Sequence, residues 1–211
     1  LTILCVLLLW LAGMTVFDSV AHAFSTISGG GFSTRDASIG AFSSPLIELV
    51  MIIFMLASAV NFTLHWAVLH GRKISTYTDD VEIRVLTGMI LMAGVTLTAI
   101  AWMSGEISGD RILAGLFMAT STLTTSGFVS LTDNSWPVAG IMLMLMLMFT
   151  GGAAGSTSGG LKLLRFTALI KMAGREIRRL AHPHGVVALK YGRRPIDTAT
   201  LHAIWSYFCI Y

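Results

Sequence analysis

The sequence predicts an all-α integral membrane protein built from repeated helix–pore loop–helix units, with a broken helix in the second unit. Three observations predict it. The 211 residues are 55% apolar and only 12% charged, with a mean hydropathy of +0.77, whereas soluble domains carry about 25% charged residues. A motif recurs: Ser25-Thr26-Ile27 with Gly31-Phe32 returns, 96 residues on, as Ser121-Thr122-Leu123 with Gly127-Phe128. Finally, twelve of the fourteen Lys and Arg lie in residues 70–84 or 162–194, leaving Arg35 and Arg111 elsewhere.

The elements follow in order. An apolar helix runs from Leu1 to about Met14, and a shorter, more polar one, with Asp18 and His22, from Thr15 to Ile27. The second is too short to span, since about 20 apolar residues are needed. Ser28-Gly29-Gly30-Gly31 follows, then the polar loop Arg35-Asp36-Ala37-Ser38. Ser44-Pro45 starts a helix that is long enough to cross by about Leu69. The layout then repeats: a spanning helix over Val85–Met103, a short helix over Asp110–Thr122, the stretch Thr124-Thr125-Ser126-Gly127-Phe128, and a turn at Asp133-Asn134-Ser135-Trp136-Pro137. Val138–Phe149 is apolar, Thr150–Gly160 interrupts it with five glycines, and a helix resumes from Leu161 to about Leu180. The units read as 1–69, a loop 70–84, a second unit 85–180 containing the break 150–160, a loop 181–196, and the start of a further helix at 197–211. The positive-inside bias places the 70–84 and 181–196 loops in the cytoplasm and both glycine stretches toward the outside.

The glycine stretches have the composition of a cation filter. No helix or strand interior favours three consecutive glycines, and irregular backbone survives at membrane depth only beside protein or a water-filled cavity. Ser28, Gly29, Gly30 and Gly31, with Thr124, Thr125, Ser126 and Gly127, can turn carbonyls toward a cation and replace its hydration shell, as in a potassium-channel-like fold. Each short helix aims its negative end at the stretch that follows, and Asp18 and Asp110 complement the opposite ends. The alternative is a glycine-rich packing loop, which two copies in equivalent positions disfavour.

The break 150–160 offers Gly151, Gly152, Gly155, Ser156, Thr157, Ser158, Gly159 and Gly160 as a movable gate or constriction, with a passive packing loop as the alternative. A phosphate-binding loop is excluded, because Gly159-Gly160-Leu161-Lys162 lacks the required Gly-Lys-Ser/Thr. Lys162 and Arg165 either sit at the inner side of the pathway or reach the cytoplasm. Asn61 and His65, one turn apart, point to structural hydrogen bonds inside the bundle. Arg35 and Asp36 are expected to pair locally. Asp36, Glu48 and Asp133 are either cation attractors at the outer mouth or a solvated surface. Cys5 and Cys209 lie in apolar segments near opposite ends, so neither a disulfide nor a metal site is expected. A net charge of +3 gives no reason to expect a nucleic-acid partner. Leu1–Trp10 has no basic flank or cleavage site of a signal peptide. Both termini fall inside apolar runs, so the chain reads as part of a longer protein.

The motifs also resemble a known family. His22-Ala23-Phe24-Ser25-Thr26-Ile27 with Gly30-Gly31-Phe32-Ser33-Thr34-Arg35-Asp36-Ala37-Ser38-Ile39-Gly40 is similar to the second pore loop of the TrkH family, the membrane subunits of bacterial Trk potassium uptake systems in the Trk/Ktr/HKT superfamily. Thr124-Thr125-Ser126-Gly127-Phe128 resembles the third filter. Gly151-Gly152-Ala153-Ala154-Gly155-Ser156-Thr157 with Gly159-Gly160-Leu161-Lys162 resembles the intramembrane loop, and Arg175-Glu176-Ile177-Arg178-Arg179-Leu180 with His182-Pro183 the stretch after it. Gly29, where many members carry a larger apolar residue, and Ser158, where glycine is common, depart from the pattern. The resemblance implies pore units two and three and the start of unit four. It implies potassium as the transported ion, met by carbonyls at Gly29, Gly30, Thr125 and Ser126, with no covalent cofactor and no catalytic residue. It further implies a lipid-embedded homodimer in the bacterial inner membrane and a cytosolic TrkA-like nucleotide-binding regulatory subunit. Two other functions compete: a secondary transporter of another small solute or cation, Na+ included, and a non-conducting membrane fragment. Re-entrant loops entering from one side in a parallel repeat favour the potassium pathway over the first of these.

Overall fold

The computed structural model describes the chain except residues 72–73, 106–110, 131–135, 182–189, 192–193 and 196. Asp110, Asp133 and the His182-Pro183 pair lie outside the described residues. The helices are α1 (Thr2–Leu11), α2 (Val16–Ser28), α3 (Pro45–Ala59), α4 (Phe62–Leu69), α5 (Ser75–Asp79), α6 (Val81–Ser104), α7 (Arg111–Leu123), α8 (Val138–Met148), α9 (Leu163–Ala181) and α10 (Thr198–Ile210). A 3₁₀ turn covers Ser38–Phe42, and Lys190–Tyr191 pairs antiparallel with Arg194–Pro195.

Local chemistry sets several of the ends. Asp80 caps α6 by accepting from the Glu82 and Ile83 N–H groups at 2.8 and 3.1 Å, and Gly105, at φ 67°, closes it. Between them lie 24 residues, about 36 Å of helix, enough for a hydrocarbon core of about 30 Å. Among the described residues, α6 is the one helix long and apolar enough to cross unaided. Its outward face is apolar at Met92, Val95 and Trp102. α7 lies close against it because Gly115 has no side chain: a Cβ there would overlap the Thr98 hydroxyl. Small residues let membrane helices approach in this way.

The expected single crossing from Pro45 to Leu69 is not continuous. α3 and α4 meet at a bend of 97° across Val60-Asn61. No Pro or Gly causes it. The Ser58 and Ala59 carbonyls, which a continuing helix would satisfy from residues 62 and 63, accept instead from the Thr157 and Ala153 N–H groups at 3.3 and 2.9 Å. Asn61 then caps α4 through the Thr63 N–H at 2.9 Å. His65 donates from Nε2 to the Ala57 carbonyl at 2.8 Å, and its Nδ1 accepts from the Tyr77 hydroxyl at 2.7 Å. Asn61 and His65 thus make structural hydrogen bonds as expected, but at the bend and not within a continuous crossing helix.

The core gathers where α3, α6 and α7 converge, on Met51, Met55, Leu86, Leu97, Phe117 and Phe128. α2 packs on α1 and α3, and α7 on α3, α6 and α8. This places the ends of the two short helices side by side.

Candidate functional site

Both short helices end in the same backbone figure. Gly30 N–H bonds to the Ser25 carbonyl and Ser126 N–H to the Ser121 carbonyl, each at 2.9 Å. Gly29 N–H reaches the Thr26 carbonyl at 3.3 Å and Thr125 N–H the Thr122 carbonyl at 3.1 Å. Left-handed residues then alternate at matched positions: Gly29 (φ 72°) with Thr125 (φ 55°), and Gly31 (φ 69°) with Gly127 (φ 82°). Glycine adopts this region freely, whereas Thr125 pays a strain of about 1–2 kcal/mol. The two stretches touch. A Cβ on Gly31 would overlap the Ser126 carbonyl oxygen, so the first segment leaves room for a carbonyl of the second.

The loop 150–160 lies against both. The Thr157 carbonyl oxygen is 3.5 Å from where a Cβ on Gly29 would stand, and Gly159 N–H donates to the Thr125 hydroxyl at 2.6 Å. The loop folds back on itself, with Gly151 (φ 70°) so close to Gly159 that a Cβ would overlap its carbonyl. Leu161 N–H to Phe149 O at 3.1 Å closes its neck. It is also anchored by the α3 carbonyls, by Phe62 N–H to the Gly155 carbonyl at 3.1 Å, by Leu163 N–H to the Gly152 carbonyl at 2.9 Å, by the Glu82 carboxylate, which accepts from Ala154 N–H at 2.9 Å, and by Lys162, whose ammonium donates to the Ser156 (3.1 Å) and Ser158 carbonyls. Lys162 thus faces the loop. Arg165 lies over the Tyr207 ring at 4.1 Å and ties α9 to α10.

Behind the first segment stands a polar group that the sequence reading did not assemble. Arg35 pairs with Asp18 at 3.0 Å, not with its neighbour Asp36 as expected. Arg35 reaches Asp18 because the chain reverses after Gly31 and runs back along α2. Asp18 also accepts from the Thr34 and Thr15 hydroxyls at 2.5 and 2.9 Å. One turn on, His22 Nδ1 donates to the Asp18 carbonyl at 2.7 Å, and its Nε2 accepts from the Ser33 hydroxyl at 2.8 Å. Asp18 lies on the first turn of α2, outside the spanning helices. Its Thr34 and Thr15 hydrogen bonds, aided by Arg35, outweigh burial and hold the carboxyl down to about 2. The sequence signal was the Asp18–His22 pair at i, i+4 on a short helix, followed by Ser33-Thr34-Arg35.

The family profile TrkH, a cation transport protein family, matches residues 1–211. The chain belongs to the TrkH family. It is 41% identical to the Trk system potassium uptake protein TrkH of Salmonella typhimurium, covering 100% of this chain and 44% of the relative. Against the TrkG protein of Escherichia coli K12 it is 37% identical with the same coverage. The crystal structure of the potassium transporter TrkH from Vibrio parahaemolyticus superposes with a TM-score of 0.94 at 38% identity, over 99% of this chain and 46% of that one. The chain thus spans less than half the length of the relatives it matches. The family fold is that of a membrane protein with pore-loop helix units, and the family is one of transporters, not enzymes.

Proposed function

We propose that this chain supplies two pore units of a Trk-type potassium uptake subunit. Residues 1–69 form one unit and 85–180 the other. The cation meets carbonyls of Gly29, Gly30, Thr125 and Ser126, in the filter stretches 28–31 and 124–127, and the loop 150–160 closes the inner end. One observation carries the reading: two copies of one left-handed backbone figure meet at Gly31 and Ser126, with a glycine-rich loop against both. Carbonyls fixed in this way replace hydration, and the α2 and α7 C-termini favour positive charge there. The relatives named as Trk system potassium uptake proteins support potassium as the ion. The rest follows the family: a multi-pass inner-membrane protein with filters opening outward, a homodimer when complete, and a cytosolic TrkA-like partner facing residues 70–84 and 181–196.

The test uses the full-length protein in lipid vesicles. Gly31→Ser places a side chain on the Ser126 carbonyl, and the K+/Na+ flux ratio is expected to fall at least about tenfold, a change of about 1.4 kcal/mol in discrimination. Gly88→Ser is the control, on an exposed stretch of α6 where a Cβ meets nothing within 4 Å. An unchanged ratio in Gly31→Ser, with folded protein, overturns the filter.

A further inference from the structure

We propose that Asp18, with His22 behind it, is the positioning residue of the first filter segment, and that through this segment it also sets the Ser126 carbonyl of the second. The proposal rests on the filter reading above. Its starting point is an entropic problem. Gly29-Gly30-Gly31 is the most flexible tripeptide a chain can place at such a site, because each glycine loses more conformational freedom on ordering than any other residue. Carbonyls that recognise an ion by geometry must nonetheless be held still.

The upstream end is fixed by the helix cap at Ser25 and Thr26. The downstream end is fixed by three consecutive residues, each bonded to a buried α2 side chain. Ser33 bonds to His22, and Thr34 and Arg35 both bond to Asp18. Asp18 and His22 are 3% and 0% exposed, so water competes little for these bonds, and hydrogen bonds to an ionised group are the strong kind. Only Phe32 lies between the clamp and the glycines.

The second copy shows what the clamp replaces. At the positions 96 residues on, Ala114 stands for Asp18, Met118 for His22, Val129 for Ser33 and Ser130 for Thr34. No clamp of this kind can form there. That segment has one glycine instead of three, and its return is held by Ser121, Ser38 and the 3₁₀ turn. The clamp accompanies the all-glycine copy. Its effect passes to the other copy at the contact where Gly31 leaves room for the Ser126 carbonyl.

The experiment measures K+/Na+ flux ratio and melting temperature on full-length protein in vesicles. Thr34→Val removes one donor to Asp18 at nearly constant size, and Asp18→Asn removes the charge. Each is expected to lower the ratio about tenfold, the scale of one charge-assisted hydrogen bond; Asp18→Asn also lowers the melting temperature at neutral pH, because it removes a carboxylate that stabilises the fold there, and Thr34→Val, which keeps the charge, lowers it less. Asp18→Glu, which keeps the charge, recovers part of the loss. Ser130→Ala is the control, since the Ser130 hydroxyl is buried without a partner. Should Asp18→Asn fail to fold, Thr34→Val decides alone. An unchanged ratio in the clamp variants while Gly31→Ser lowers it overturns the clamp and leaves the filter standing. A fall in Ser130→Ala equal to that in Thr34→Val also overturns the clamp. If Gly31→Ser too leaves the ratio unchanged, the filter reading falls with it.

Discussion

The two copies of the proposed filter share a backbone figure and differ in almost everything that holds it. The first is three glycines secured from behind by charge and hydrogen bonds on its own short helix. The second has one glycine, and its neighbour secures it. Ile39 and Gly40 N–H bond to the Val129 carbonyl at 3.0 and 3.2 Å, Ser38 accepts from Val129 N–H at 3.2 Å, and Ser121 donates to the Phe128 carbonyl at 2.7 Å. The loop after the first segment is thus the roof of the second. The equivalent phenylalanines record the difference, Phe128 being 0% exposed and Phe32 80%. One geometry can be specified by an internal clamp or by a neighbour's cover.

The largest effect expected from this contrast is at those phenylalanines. Phe128→Ala empties a packed site beside His22 and should cost about 3–5 kcal/mol. Phe32→Ala removes an exposed ring and should stay within about 0.5 kcal/mol. Thermal unfolding of the two variants in detergent measures both. A large loss at Phe32 in full-length protein would mean that another part of the longer chain roofs the first segment as Ser38–Phe42 roofs the second.

A smaller effect is expected at the paired serines. Ser121 Oγ bonds the Phe128 carbonyl, whereas Ser25 Oγ is buried with no partner. Ser121→Ala should therefore destabilise by about 1–3 kcal/mol, because it strands a buried carbonyl. Ser25→Ala, which removes an unsatisfied hydroxyl, should be neutral or slightly stabilising. Equal losses at both positions would break the contrast.

How much of this was legible in the sequence depended on whether the cause was local. Repeat period, short-helix bounds and the glycine break were legible, because composition and spacing encode them directly. The pattern puts the start of the last helix at Asp197, one residue before α10 begins, but starts α6 at Val85 and not at Val81, because it takes the cap that Asp80 provides as loop. The bend after Ala59 was not legible. Nothing in Ala59-Val60-Asn61 breaks a helix; the cause is that Ala153 and Thr157, about a hundred residues away, take the α3 carbonyls. The Arg35–Asp36 expectation failed similarly. Adjacent charges look paired on paper, but the turn at Gly31 carries Arg35 back along α2 to Asp18. At the proposed filter, the sequence showed which residues were unusual but not that Gly31 and Ser126 meet, since that contact belongs to the packing of segments nearly a hundred residues apart.

The smallest effect, and the sharpest test of the asymmetry, comes from acid. Asp18 is held down to about 2 by Thr34, Thr15 and Arg35, against about 3.9 for an unfolded aspartate. A lowered folded value means the unfolded chain takes up the proton first as pH falls. The stabilisation from Asp18 is therefore fully present above about pH 4 and is lost as pH falls toward 2. The melting-temperature difference between wild type and Asp18→Asn should be constant from neutral pH to that point and shrink below it. In the second copy Ala114 occupies the equivalent place and cannot titrate. Acid should then loosen the copies unequally. Amide hydrogen exchange, corrected for its intrinsic pH dependence, should rise at Gly29–Gly31 between pH 4 and pH 2.5 before it rises at Thr125–Gly127. Simultaneous loosening of both segments would mean that the contact at Gly31 and Ser126 binds them into one unit, and that the clamp on one copy serves both equally.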